Sequence, residues 1–236
     1  MTRKTLGRTL VGAALTVVLS TLTLGPASAA PVIAWDGITP DGSYAYGAVP
    51  TPTCSASDDV DATIALTCVV TGAEANPAVG SHTLTATVSD INGSVVASET
   101  ISYTVTSWYS VKGFYSPVKM TKVNTRKAGS TVPLKFKVYK DGAKVTSNTV
   151  VASIMAQQYV CGDAAMTPIG LPVSVTTAKK GFTLKYRYGA FHQNWKTPKL
   201  AKPAKVKGKK VVTTACYLVT ATMDDTSTLS AQFLLK

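Results

Sequence analysis

The sequence predicts an all-β protein built from two small β-sandwich domains. Short runs of alternating apolar and polar residues recur along both halves of the chain, and Gly, Pro, Asn and Asp turn signals separate them. No segment keeps a helical spacing of apolar residues over the length of a full helix. Many short strands with frequent turns are typical of sandwich folds.

The N-terminal segment, residues 1–29, has the layout of a secretory signal peptide. Three basic residues among the first eight precede an apolar run from Leu10 to Leu24, and Ala27-Ser28-Ala29 supplies small residues for cleavage. The apolar run is 15 residues long, short for a membrane span of about 20. We therefore expect a cleaved leader and not a membrane anchor, and a secreted chain without a transmembrane segment.

Charge divides the remaining chain into two parts. Residues 30–107 contain eight acids and no lysine or arginine, a net charge of −8. Residues 108–236 hold 21 of the 24 basic residues and four of the 12 acids, a net charge of +17. This asymmetry predicts an acidic domain over 30–107 and a basic domain over 108–236. Attraction between the two, within one molecule or head to tail between molecules, is a further expectation.

The acidic half shows two clear strands around a turn. Thr83–Ser89 and Ser98–Val105 alternate, and Asn92-Gly93 between them predicts a two-residue hairpin turn. Four stretches resemble the bacterial immunoglobulin-like repeats of exported proteins, which implies an immunoglobulin-like sandwich here. They are Gly47–Pro50, Cys54–Asp58, Cys68–Gly72 and Val79–Asp90.

One loop of the acidic half departs from that resemblance. The usual Ser-Gly-Leu between the two cysteines is replaced by Asp59-Val60-Asp61-Ala62-Thr63, so we expect a different loop conformation on the same fold. Asp58, Asp59 and Asp61 are either ligands for calcium or caps for backbone N–H groups in a turn. Their spacing is not that of an EF-hand loop.

The basic half is organised around Gly129–Tyr139. Val132, Leu134, Phe136 and Val138 alternate with polar and basic residues, which predicts a strand with one buried face and lysines in water. Pro133 predicts an edge strand or a strand beside a bulge. Asp141-Gly142 predicts a hairpin that returns over Ala143–Val151. The other predicted strands are Val145–Met155, Leu171–Thr176, Gly181–Tyr188, Val211–Val212, Tyr217–Thr222 and Leu229–Leu235, the last two joined by a turn at Asp224–Ser227.

Separated motifs of this half resemble, in order, the small domain of secreted actinobacterial proteins named for its Pro-x-Lys-Phe (PxKF) motif. The resemblance implies an extracellular β module appended to wall-associated or secreted proteins, and it brings no catalytic residues. The matching stretches are Phe114–Val118, Asn124-Thr125, Gly129–Phe136, Gln193–Pro198, Cys216–Thr220 and Ser230–Lys236.

The four cysteines are predicted to form two disulfides, because export places them in an oxidising compartment. Of the three possible pairings, Cys54 with Cys68 and Cys161 with Cys216 keeps each bridge inside one predicted domain. A zinc site is the rival interpretation. No Cys-x-x-Cys pair is present, and both histidines lie far from the cysteines in sequence.

A lysine-rich tract, residues 196–210, is the best candidate contact. Its prolines and like charges predict an extended, solvated loop. It fits either an anionic partner (a wall polymer such as teichoic acid, extracellular DNA or an acidic protein) or a surface that keeps the protein in solution. Lysine without arginine favours diffuse attraction over sequence-specific nucleic-acid binding. The candidate binding residues are Trp195, Lys196, Lys199, Lys202, Lys205, Lys207, Lys209 and Lys210, with Phe191, Tyr186 and Tyr188 as further rings for stacking.

Catalysis is not expected. The only histidines are His82, within an alternating strand, and His192, and no nucleophile elbow, metalloprotease motif or phosphate-binding loop is present. We expect no cofactor and no metal. The expected function is a non-catalytic structural or adhesive module of the cell envelope or extracellular space. The alternative is a polyanion-binding protein that acts through residues 196–210.

Overall fold

The computed structural model describes residues 30–58, 63–175, 183–201, 205–206, 209–210 and 213–236. Within these ranges every regular element is a β-strand, apart from one 3-10 turn at Asn148–Val150. The predicted all-β fold class is confirmed. The strands of the first half are β1 Val32–Asp36, β2 Ser43–Ala45, β3 Thr53–Ser57, β4 Thr67–Thr71, β5 Gly80–Ser89 and β6 Val95–Thr106.

The first half is a small sandwich of two sheets. β1 pairs antiparallel with β3, and the second sheet has the order β2-β6-β5-β4, in which β2 runs parallel to β6. Alternation along β5 turns Leu84, Ala86 and Val88 into the core and leaves the hydroxyl side chains outside. The buried hydrophobic residues of this half are Ile38, Leu84, Ala86, Val88, Ile101, Tyr103 and Val105.

The hairpin between β5 and β6 differs from the predicted two-residue turn. Its strands end at Ser89 and resume at Val95, and Gly93 has a positive φ of 78°. The Asp90 carboxylate accepts hydrogen bonds from the backbone N–H groups of Asn92 (2.9 Å) and Ser94 (2.8 Å). Because Asp90 stabilises a wider loop, the hairpin exists but the predicted turn length is wrong.

Both predicted disulfides are present. Cys54 on β3 bonds to Cys68 on β4, with 5.7 Å between the Cα atoms, and so ties one sheet of the first half to the other. The second half contains the Cys161–Cys216 bond, with a Cα separation of 5.3 Å. Cys161 lies in a loop and Cys216 near the start of a strand, so this bond fastens the loop to the sheet.

The second half is a larger sandwich of two five-stranded sheets. One has the order β10-β9-β14-β13, with β7 also paired to β9, and the other has the order β12-β11-β17-β18-β8. β15 and β16 form a separate two-stranded hairpin. The strands are β7 Tyr109–Gly113, β8 Asn124–Arg126, β9 Thr131–Lys140, β10 Ala143–Lys144, β11 Val151–Tyr159, β12 Pro168–Ser174, β13 Lys185–Arg187, β14 Ala190–Lys196, β15 Lys205–Val206, β16 Lys209–Lys210, β17 Ala215–Met223 and β18 Thr228–Leu235.

The buried face predicted for β9 is confirmed. Val132, Leu134, Phe136 and Val138 all point into the core between the two sheets, and the Phe136 ring stacks on Phe191 with 5.4 Å between centroids. Facing them from the other sheet are Ile154, Val219, Ala221, Phe233 and Leu235. The two cores draw on different parts of the chain, one ending at Val105 and the other beginning at Tyr109.

The edge-strand prediction for β9 holds only around Pro133. β14 pairs with Thr131–Phe136 on one side, and β7 pairs with Phe136–Lys140 on the other. Among the described strands, none pairs with residues 131–134 on the β7 side. Pro133 therefore lies where the missing N–H is tolerated, while the rest of β9 is interior to the sheet, contrary to the prediction.

The strand after Asp141-Gly142 is much shorter than predicted. The tight turn is confirmed, since Asp141 and Gly142 have positive φ values of 50° and 78° and Lys140 pairs with Ala143. The return strand ends at Lys144, and the side chain of Ser147 then caps the 3-10 turn. The chain crosses to the other sheet there, so the predicted strand over 145–155 is wrong before Val151.

The predicted strand Gly181–Tyr188 is also shorter, with β13 covering Lys185–Arg187. Tyr188 and Gly189, with φ values of 50° and 72°, form the turn into β14. Residues 181–182 and the predicted strand 211–212 lie outside the described residues. The predicted strands Leu171–Thr176, Tyr217–Thr222 and Leu229–Leu235 correspond to β12, β17 and β18, with residue 176 also outside the described ranges.

Candidate functional site

The structure describes only part of the lysine-rich tract. Lys196 ends β14 opposite Thr131, and its ammonium donates to the Gly129 carbonyl at 2.5 Å, while Lys199 is exposed. Lys205 and Lys210 are backbone partners in the β15–β16 hairpin, which also contains Lys209. Lys202 and Lys207 lie outside the described residues. The predicted extended loop is wrong for Lys196, which belongs to β14, and for residues 205–206 and 209–210, which pair as strands. Polymer binding by residues 196–210 stays a prediction.

Trp195 does not lie on the surface. Its side chain is 3% exposed, and its ring packs edge-on against Phe233 and Tyr217, at centroid distances of 5.0 and 5.8 Å. Phe191 is fully buried as well. The prediction that these two rings stack on a ligand is wrong, because β14 turns both into the core. Tyr188 remains exposed at the β13–β14 turn.

The outer side of the same sheet collects positive charge from four strands. Lys112 on β7 stands opposite Lys137 on β9. Lys135 on β9 stands opposite His192 on β14, which in turn faces Lys185 on β13. Residues at matched positions of neighbouring strands share a face, so these side chains lie side by side. We call this surface the basic face: Lys112, Lys135, Lys137, Lys185, Arg187 and His192.

The basic face is electrostatically unfavourable for folding. Like charges directly opposite one another in a sheet destabilise it, where unlike pairs contribute about 0.2–1 kcal/mol. Only one of the four acids of this half, Asp141, lies on the same sheet, at the β9–β10 turn. Asp163 follows β11, and Asp224 and Asp225 lie in the β17–β18 turn. The positive charges are thus available to a partner.

The position of His192 on this face lowers the pKa of its imidazole. Partial burial lowers this pKa, and the charges of Arg187 and then Lys135 lower it further. A hydrogen bond that the imidazole donates to the Arg187 backbone raises this pKa, by less than burial or the Arg187 charge lowers it. The sequence pattern gave His192 a possible role only in catalysis. Its cross-strand partners on both sides are cations, which points to charge recognition instead.

Aromatic rings flank the basic face. The ammonium of Lys112 lies 5.3 Å from the centre of the Tyr139 ring, and that of Lys137 lies 5.3 Å from the Tyr115 ring. The Arg187 guanidinium is 6.0 Å from Tyr188, whose ring also meets His192. Such cation–π contacts hold flexible cations in place. The face therefore combines fixed charge with flat rings at its margins.

The two halves meet through a two-residue linker, Ser107-Trp108. The buried carboxylate of Asp225 accepts hydrogen bonds from the backbone N–H groups of Trp108 and Tyr109, at 2.7 and 3.3 Å. The Trp108 ring packs edge-on against Tyr46 of the first half, 5.3 Å between centroids. A second contact between the halves is the hydrogen bond from the Val79 N–H to the Thr226 hydroxyl, 2.8 Å.

No part of this junction was predicted from the sequence beyond its location. Asp224-Asp225 was correctly predicted to lie in a turn, but a contact between residues more than a hundred positions apart leaves no local pattern. The only local signal was the change of charge near Ser107.

The described ranges include both histidines and one of the three aspartates of the calcium hypothesis, Asp58. They contain no group of three His, Cys, Asp or Glu residues that could hold a metal ion. Asp59 and Asp61 of the calcium hypothesis lie outside those ranges. His82 has a structural environment, with its ring stacked on Tyr103 and its Nε2 2.6 Å from the Ala78 carbonyl.

The described residues contain no helix that is long and apolar enough to span a membrane. No family model and no curated protein matches the chain. Among solved structures, the chain is similar to fibronectin(III)-like modules of Clostridium thermocellum CbhA, at 11% identity over 86% of this chain and 93% of the other, with a TM-score of 0.26.

Two further solved structures are similar at the same low level. A chimeric titin Z1Z2-Z1Z2 tandem is 10% identical over 86% of this chain and 98% of the other, with a TM-score of 0.31. Bacteroides ovatus SGBP-B in complex with a mixed-linkage heptasaccharide is 11% identical, over 87% of this chain and 47% of the other, with a TM-score of 0.26. At these scores the likenesses carry no argument about function.

Proposed function

We propose that this protein is an exported, non-catalytic module of the cell envelope or extracellular space that binds an anionic polymer through its basic face. The observation that carries the proposal is the strand register, which sets Lys112 against Lys137 and places His192 between Lys135 and Lys185. Two disulfides support export. The PxKF resemblance supports an envelope or extracellular role, and we propose membership of that family.

The chemistry of the basic half favours charge-driven recognition. This half contains 19 lysines and two arginines, Arg126 and Arg187. Lysine carries a mobile point charge. It lacks the planar guanidinium group with which arginine binds phosphate groups or base edges in a fixed geometry. Such a surface binds by releasing counterions, so its affinity depends steeply on salt. The lysines of 196–210 add to the same attraction.

The test is binding of the mature chain to purified teichoic acid and to duplex DNA across a salt series. The variant Lys112→Gln/Lys135→Gln/Lys137→Gln removes three charges from the basic face. It is expected to reduce the slope of log affinity against log salt by about 2.7 for duplex DNA. A matched control, Lys119→Gln/Lys122→Gln/Lys127→Gln, removes the same charge from exposed positions around β8.

The two variants separate the basic face from net charge. A larger loss for the basic-face variant supports the proposal. Equal losses would show that net charge alone matters and would overturn the assignment to this face. Tighter binding to teichoic acid than to DNA at equal salt would identify a wall polymer as the partner class.

A structural spacer is the second candidate function, favoured by the junction. The linker has only two residues, and Asp225 and Tyr46 hold Trp108 from the two halves. The hydrogen bond from Val79 to Thr226 joins the halves directly. No binding of the wild-type chain to either polymer at low salt would leave this function and assign the surface lysines to solubility.

A further inference from the structure

We propose that the pocket at the junction of the two halves binds an acidic sugar unit, a saccharide ring that carries an acid group. This inference rests on the proposed function, because the sugar is taken to belong to the polymer held by the basic face. It narrows that polymer to an anionic glycan. The pocket encloses about 440 Å³ and is lined by Ser107, Trp108, Tyr109, Ser110, Lys112, Tyr139, Asp141 and Gly142.

Two aromatic side chains form walls of this pocket. Trp108 is 40% exposed although its ring is held on one side by Tyr46 and approached by the Lys140 ammonium, 5.0 Å from the ring centre. Tyr139 is the second ring, and Lys112 lies over it. An exposed ring that is already fixed loses little side-chain entropy when a ligand packs against it. Flat apolar surfaces of this kind suit the C–H side of a sugar ring.

The polar groups of the pocket match a ring with hydroxyl groups and one acid. Ser110 and the Asp141 carboxylate can accept hydrogen bonds from hydroxyl groups, and Lys112, which lines the pocket, attracts an acid substituent. Gly142 leaves the rim open, since a Cβ placed there would meet no atom within 4 Å. The Asp141 carboxylate repels any anionic group. A sugar unit also offers hydroxyl donors to this carboxylate, whereas the phosphate groups of a polyphosphate or a nucleic-acid backbone offer none. The combination therefore favours a glycan.

The pocket is continuous with the basic face. Lys112 lines the pocket and also stands opposite Lys137. Tyr139 lies on the same side of β9 as Lys135 and Lys137. An anionic chain lying across the face therefore reaches the pocket with one of its units.

The experiment compares oligogalacturonate with polyphosphate of equal charge, using the whole mature chain and tryptophan fluorescence as the readout. We expect tighter binding of oligogalacturonate and a fluorescence change that is absent in Trp108→Phe. Asp141→Asn is the decisive variant, because asparagine keeps the turn conformation and the side-chain size. It is expected to weaken oligogalacturonate binding about tenfold and to strengthen polyphosphate binding.

The outcomes of the two proposals are distinguishable. Salt-dependent binding of both polymers with no preference, and a gain for both in Asp141→Asn, would overturn the sugar pocket and leave the basic face standing. Absence of salt-dependent binding to any polymer would overturn both. Opposite responses of the two ligands to Asp141→Asn would support the pocket, since a general gain of positive charge cannot produce them.

Discussion

The carboxylate of Asp225 accepts a hydrogen bond from the backbone N–H of Trp108 at 2.7 Å, joining residues 117 positions apart. The same carboxylate accepts from the N–H and the hydroxyl of Ser227, so one buried side chain organises both its own turn and the linker. It is fully buried. The last hairpin of the chain thus fixes the point where the second half begins.

Replacing Asp225 with alanine is expected to destabilise the protein by about 3 kcal/mol, because it leaves buried N–H groups without an acceptor. Asp225→Asn keeps an acceptor oxygen and should cost less. Urea unfolding followed by circular dichroism measures both changes. Thr226→Val, which removes only the acceptor for Val79, is the control and should cost about 1 kcal/mol. An Asp225→Ala variant as stable as wild type would contradict the role given to this carboxylate.

Tyr188 is expected to lower the free energy of unfolding and to strengthen polymer binding. Its positive φ of 50° is unfavourable for a bulky residue, yet its ring is 92% exposed beside Arg187 and His192. Tyr188→Asn should raise the free energy of unfolding by about 1 kcal/mol, because asparagine tolerates this conformation better. The same variant should weaken polymer binding. Tyr188→Phe keeps both the ring and the backbone strain and should change neither property; weakening by Tyr188→Phe equal to that of Tyr188→Asn would contradict this account.

Polymer binding is expected to strengthen as the pH falls through the range in which His192 gains a proton in the complex. Burial, Arg187 and Lys135 lower the pKa of His192 in the free protein, so a bound polyanion that offsets these cations favours its protonation. Affinities measured at constant salt from pH 7.5 to 5 test the effect.

The free protein should show the opposite trend. The unfolded chain carries a histidine of ordinary pKa, and the folded state has a lower one, so the unfolded state binds more protons between the two values. The free energy of unfolding contributed by His192 therefore decreases as the pH falls through that window. His192→Gln should remove both trends, and a pH response unchanged in this variant would assign it to other groups.

The two disulfides are expected to contribute unequally to stability. The bridges close loops separated by 14 and 55 residues. Loop-closure entropy then predicts losses of about 3 kcal/mol for Cys54→Ser/Cys68→Ser and about 4 kcal/mol for Cys161→Ser/Cys216→Ser. Denaturant unfolding of each double variant measures the difference. A larger loss for the Cys54 and Cys68 pair would indicate that strain or residual structure outweighs loop length.

The alternation of apolar and polar residues predicted β9 but did not predict β14. The reason is Gln193, a polar residue on the inner face of β14. Four apolar residues mark the inner face of β9, whereas the inner face of β14 reads Phe191, Gln193, Trp195. Gln193 is buried because its amide bonds to the Val175 carbonyl and accepts from the Thr183 N–H. A polar residue satisfied by distant partners disrupts the local pattern, so Trp195 was placed on the surface in error.

The basic face could not be predicted from single strands. Each strand contributes only one or two cations, a pattern that is typical of any solvent-exposed strand face. Only the register, which sets Lys135 beside His192 and Lys185, brings them together, and register follows from pairing between distant segments. The lysine tract of 196–210 could be recognised from the sequence because its residues lie close together along the chain.

The short linker has a consequence for how the molecule approaches a charged surface. Its halves carry net charges of −8 and +17 and are joined by contacts on both sides of Trp108. Such a body has a permanent electric dipole, and a negatively charged surface exerts a torque on it within a Debye length of about 10 Å. The basic half turns toward the surface and the acidic half away from it, so the molecule is oriented before any side chain makes contact.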